Sequence, residues 1–184
     1  MKKNYIKKLC ICAILAALYV PLEWLASAFG KIAFLDNYQI PISCFPLILA
    51  SIIFGVRWGV ATATVGAFVS QIAMGYGISW STFIWMIPTV IYALIVALLY
   101  KAFRKSDKRY FLAIELFISS IALSLLNIGA LYIDSLVFGY PYDFLAGIFK
   151  FAISFKIIGG IGFAWIFAAI SPPIIRKLRK VIKL

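Results

Sequence analysis

An all-α, polytopic membrane protein with six transmembrane helices is the fold class the sequence predicts, on three observations. Hydrophobic residues fill 65% of the 184 positions and charged residues 13%, with a mean hydropathy of +1.04, which is lipid-solvated composition rather than a soluble core. The apolar residues fall in runs of about 20, enough for a helix to cross a hydrocarbon core of roughly 30 Å, and they lack the alternation of barrel strands. The basic residues punctuate those runs on one side. With the N-terminus inside, fifteen of the eighteen lysines and arginines face the cytoplasm, and Glu23, Asp36, Asp134 and Asp143 lie toward the other face. Both termini are therefore expected in the cytoplasm, and residues 1–184 are read as one multi-pass domain of the cell membrane. The net charge of +12 becomes a topology signal rather than a nucleic-acid footprint.

Lys2, Lys3, Lys7 and Lys8 precede a first helix expected over 9–29. No small-residue cleavage site intervenes before Pro21 and Glu23, so the helix is expected to be retained rather than removed as a signal peptide. A second is expected over 39–54, bent or late in starting because Pro41 and Pro46 remove donors from its first half. A tight link from Gly55 to Trp58 leads into the third, 59–74. The loop from Gly75 to Ser81 opens the fourth, 82–103, and a basic turn with Arg104, Lys105, Lys108 and Arg109 opens the fifth, 110–137. The sixth is placed at 144–170, ahead of a basic tail. No internal repeat is visible, which argues against an inverted-repeat transporter.

Lys156 is the first functional candidate. It lies about 18 Å along the sixth helix from Phe144, at 1.5 Å per residue. An ammonium inside such a run costs about 2.5–3.5 kcal/mol unless it snorkels, pairs or faces a wet cavity. Asn127 is expected at a similar depth on the fifth helix, on a stripe with Ser120, Ser124 and Asp134. The two serines suit hydrogen bonds between helices, whereas Asn127, with Gln71 of the third helix, suits a cavity lining. Lys150 suits an interface anchor, with Asp143 or Asp134 as a weak partner, and Glu115 suits an ion pair with the basic turn. Glu23 either pairs with Lys31 or faces the outer water.

The outer loops are rich in rings: Tyr38, Tyr76, Trp80, Trp85, Tyr140 and Tyr142. Aromatic belts explain rings at an interface, but Tyr76, Ser79 and Trp80 sit among flexible glycines just before a helix start, which suits a lid over a small flat ligand. Trp85 and Tyr38 join them as candidate ligand contacts. Ala13 and Ala17, four apart on the first helix, offer a face that a partner helix could approach closely, and Gly55 and Gly59 repeat the spacing. Cys10, Cys12 and Cys44 lack metal-ligand spacing and no histidine exists, so neither metal nor cofactor is expected. Without a close acidic pair or a nucleophile with its base, an enzyme is not expected either.

These features together resemble the substrate-specific S component of an energy-coupling factor (ECF) vitamin transporter, over essentially the whole length. Ala13 and Ala17 match the family's helix-one AxxxA pattern, which contacts the coupling subunit. Phe54-Gly55-Val56-Arg57-Trp58-Gly59 resembles the family's FGPxxG turn, with Val56 in place of proline. Ala67 stands where many members carry an acid on helix three, Ser79-Trp80-Ser81 occupies the place of a ligand-contacting loop, and Lys156 is similar in place to a basic residue of folate-type members. The resemblance implies a receptor that binds a vitamin or related nutrient from outside, associates with a transmembrane coupling subunit and two cytoplasmic ATPases, and topples to release its cargo inward. The rival reading is a stand-alone secondary transporter or a structural membrane subunit.

Overall fold

The computed structural model describes residues 2–32, 41–103, 108–139 and 162–180. Helix α1 spans Lys2–Ile32; a 3-10 turn, Pro41–Cys44, leads into α2, Phe45–Phe54. Then follow α3, Val56–Ala73, α4, Trp80–Ala102, α5, Arg109–Phe138, and α6 over 162–180. Among the described residues there is no strand. Among the described residues, three stretches are long and apolar enough to cross a membrane: Asn4–Ala28, Trp80–Ala102 and Arg109–Phe138.

Helix α2 is short and central. Pro41 and Pro46 account for its late start, since neither can donate to an α-helical ladder. Eight of its ten residues are buried, as befits a helix apolar on every side, and it packs against α1, α3 and α4. Its Ile48, Leu49 and Ile52 join Leu15 of α1, Tyr92 and Val96 of α4, Leu112 and Leu116 of α5, and Phe167 and Ile175 of α6 in one core. The Phe45 and Phe167 rings, 4.6 Å apart, carry that core from α2 to α6.

Two glycines let α3 approach. Gly55, at φ 82° and ψ −172°, takes a backbone conformation that only glycine adopts without strain, and so turns the chain from α2 into α3. Gly59 packs against Ser51, where a methyl group would meet the Ser51 backbone at 2.8 Å. That contact frees the Ser51 hydroxyl to donate to the Ala93 carbonyl of α4 at 3.0 Å. Higher up, a methyl at Gly66 would sit 3.3 Å from Tyr19 and 3.4 Å from the Ala16 carbonyl, so α1 also lies close on α3. The Gly55 and Gly59 spacing thus serves internal packing.

Two boundaries differ from the sequence expectation by seven residues or more. α1 begins seven residues early, because the lysines before Leu9 are good helix formers with apolar stems. α6 continues ten residues past Ile170, through Pro172 and Pro173. The Ser171 hydroxyl donates to the Phe167 carbonyl and Arg176 Nε to the Pro172 carbonyl, so side chains serve part of the backbone there. Arginines and lysines in its last turns also complement the negative end of the helix.

Gly59→Ala is expected to lower stability by about 1–3 kcal/mol, the usual cost of forcing an extra carbon into a packed interior. Gly129→Ala, with no atom within 4 Å of the new methyl, is expected to be neutral or stabilising by up to about 1 kcal/mol. Thermal unfolding of the two variants in detergent checks the contrast.

Candidate ligand-binding site

The start of α4 is fixed by a reciprocal cap. The Ser79 hydroxyl accepts from the Thr82 amide at 3.4 Å, Thr82 Oγ1 accepts from the Ser79 amide at 3.3 Å, and the Thr82 hydroxyl donates to the Gly77 carbonyl at 2.8 Å. Ser79, expected to contact ligand, is therefore already engaged in holding its own turn. The same cap leaves the neighbouring rings outside the bundle: Tyr76 and Trp80 are 64% and 77% exposed. Gln71, half-buried, sits directly beneath this turn, its carbonyl accepting from the Tyr76 amide at 3.2 Å.

One turn deeper the side chains face inward. Trp85 Nε1 donates to Asp134 Oδ2 at 3.3 Å, tying α4 to α5. Asp134 is 3% exposed, and its other oxygen, Oδ1, has no hydrogen-bond partner among the described residues. Four residues along the same face of α4, Thr89 neighbours the buried Tyr19 hydroxyl, which also lies beside Glu23; Ser43 is Glu23's other polar neighbour. A band of hydroxyl and carboxylate groups from α1, the 3-10 turn, α4 and α5 thus gathers along one stripe of α4. Asn127, half-buried on α5, lies two turns from Asp134, or about 10 Å along the axis.

Sequence reasoning singled out Trp85, Asn127 and Gln71 and gave Glu23, Tyr19, Ser43 and Thr89 no binding role. Glu23 carried a signal, since an acid within an apolar run is a functional candidate by default. Its neighbours did not, because a tyrosine and a serine in such runs read as packing. Lys156, Lys150, Tyr38, Tyr140, Tyr142 and Asp143 lie outside the described residues. The alanines of α1 divide cleanly: Ala16 packs on α3 near Gly66, while Ala13 and Ala17 are exposed.

Two expectations are corrected. Glu115 has no ion pair among the described residues, which include Lys108 and Arg109 of the basic turn: it is 1% exposed, and neither carboxylate oxygen has a hydrogen-bond partner among them. The helix turns it inward among Leu112, Leu116 and the α4 core, near Tyr92, rather than toward the water that bathes the turn. Ser124, expected to bond between helices, donates instead to the Ser120 carbonyl one turn back at 3.0 Å, a local bond that needs no second helix. A hollow of about 260 Å³ between α5 and α6, lined by Ala113, Ile114, Phe117 and Trp165 among others, presents hydrocarbon and rings rather than charge.

Trp85→Phe removes the indole donor and leaves Asp134 without either hydrogen bond. A loss of about 1–3 kcal/mol is expected, the cost of an unsatisfied buried acceptor, read as a lower midpoint of thermal unfolding in detergent.

The family model for the ECF transporter, substrate-specific component, matches residues 7–171. No curated protein and no solved structure matches the chain. The matched segment takes in α2 to α5 whole, most of α1 and the first half of α6, and with them every polar group just described. This chain belongs to the family of substrate-specific components of ECF transporters.

Proposed function

We propose that the chain is the receptor subunit of an ATP-driven importer, with six spans and both termini in the cytoplasm, capturing a vitamin or related small nutrient at the outer face. The observation that carries this reading is the convergence of Trp85, Asp134, Thr89, Tyr19 and Glu23 inside the bundle. It lies at the end remote from the basic residues of the α4–α5 turn and of the C-terminal helix. Buried groups of that kind orient a small polar ligand, and lipid has no use for them.

In this reading Asn127 and Gln71 orient polar edges of the nutrient, and Trp85 forms part of the wall. The exposed rings of Tyr76 and Trp80 close over the ligand, on a turn that Ser79 holds in place, with Tyr38 contributing from the α1–α2 connection. Lys156 neutralises an acidic group of the cargo. Ala13 and Ala17 receive the transmembrane coupling subunit, which links the receptor to two cytoplasmic ATPases. The exposure of both alanines on a helix whose neighbouring Ala16 is packed supports that assignment. Reorientation of the whole subunit then presents the cargo inward.

Two outcomes follow. Ala13→Trp with Ala17→Trp should abolish co-purification with the coupling subunit and ATPases while the isolated receptor still retains its small molecule. Undiminished assembly would place the partner on another face. Lys156→Ala should weaken binding of an acidic vitamin at least tenfold more than that of its neutral amide or ester, measured by tryptophan-fluorescence titration. Equal losses would make the lysine structural.

A further inference from the structure

We infer, resting on the receptor reading above, that the captured nutrient carries a basic nitrogen, positively charged at neutral pH, which Asp134 receives. The carboxylate of Asp134 is almost wholly enclosed, one oxygen holding the Trp85 indole N–H and the other without a partner among the described residues. Leaving such an oxygen uncompensated in a low-dielectric interior is strongly unfavourable, and a charge-assisted hydrogen bond from a cationic N–H is the interaction that offsets it best. The described lysine and arginine side chains all belong to the opposite end of the bundle.

The neighbouring groups agree in sign. The second carboxylate of the band, Glu23, sits beside the hydroxyls of Tyr19 and Ser43. Those hydroxyls can rotate to donate to it or accept from a ligand N–H. The indole of Trp85 donates along its ring plane, which fixes the carboxylate while leaving Oδ1 to a visitor. Asp134, with its unpartnered oxygen, and Glu23, flanked by hydroxyls, both present acceptors, suited to an amine, amidine or protonated ring nitrogen.

The test uses the full-length protein purified from cells grown in rich medium. Heat-released small molecules are identified by accurate mass and proton NMR, and their amount per protein is compared with that carried by Asp134→Asn. The expected result is a molecule with a basic nitrogen, whose occupancy falls at least tenfold in the variant while gel filtration and helical circular dichroism stay unchanged. A purely acidic or neutral molecule from the wild-type protein overturns the inference and leaves the receptor reading intact. So does an Asp134→Asn protein that carries as much as the wild type. A wild-type protein that carries nothing overturns both. The identity of the wild-type cargo decides the matter even where the variant fails to fold.

Discussion

A carboxylate inside a membrane bundle is costly, because lipid supplies neither donors nor counter-ions. That cost falls here on Glu115, buried toward the basic end without a hydrogen-bond partner among the described residues, and on Asp134 and Glu23 at the other end. Asp134 holds one indole N–H, its other oxygen has no partner among the described residues, and Glu23 has a tyrosine and a serine as neighbours. Asp134 meets α4 through Trp85, and Glu23 lies beside Tyr19, which neighbours Thr89 one turn along the same face of α4. A bundle that only needed to be stable would fill these positions with hydrocarbon, since apolar replacements of buried charge are commonly neutral or stabilising. In the proposed reading, ligand capture explains the cost of Asp134 and Glu23.

The packing that allows this is set elsewhere. Ser51 and Gly59 bring α2 and α3 into backbone contact, and the Ser51 hydroxyl ties the same point to α4. Short, apolar α2 therefore sits inside the ring of longer helices and supplies the centre of the core. The middle of the bundle is held by Ile48, Ile52, Tyr92 and Leu116, and at its remote end the Trp85–Asp134 bond also ties α4 to α5.

The helices were legible in the sequence, because hydrophobic length and proline placement act locally: Pro41 and Pro46 announce a late start, and α2 begins with a 3-10 turn. Helix ends were less so. Nothing in the apolar pattern says that α6 continues through Pro172 and Pro173. The site was legible in its parts and not in its pairing. Trp85 was read as an outer ring and Asp134 as part of a polar stripe, yet they are 49 residues apart in the chain and bonded to one another. Ser79 shows the opposite case: its spacing from Thr82 is a helix-start pattern, and the hydroxyl read as a ligand contact closes a cap. Glu115 was placed by sequence distance near basic residues, whereas the phase of the helix turns it into the core.

The most direct measurement is an experimental structure of the full-length protein purified, without added ligand, from cells grown in rich medium. Density for a small molecule in contact with Asp134 Oδ1, between α1, α4 and α5, is the predicted result. A structure in which a lysine of the chain itself occupies that oxygen, with side chains filling the space beside Trp85 and Glu23, would contradict it.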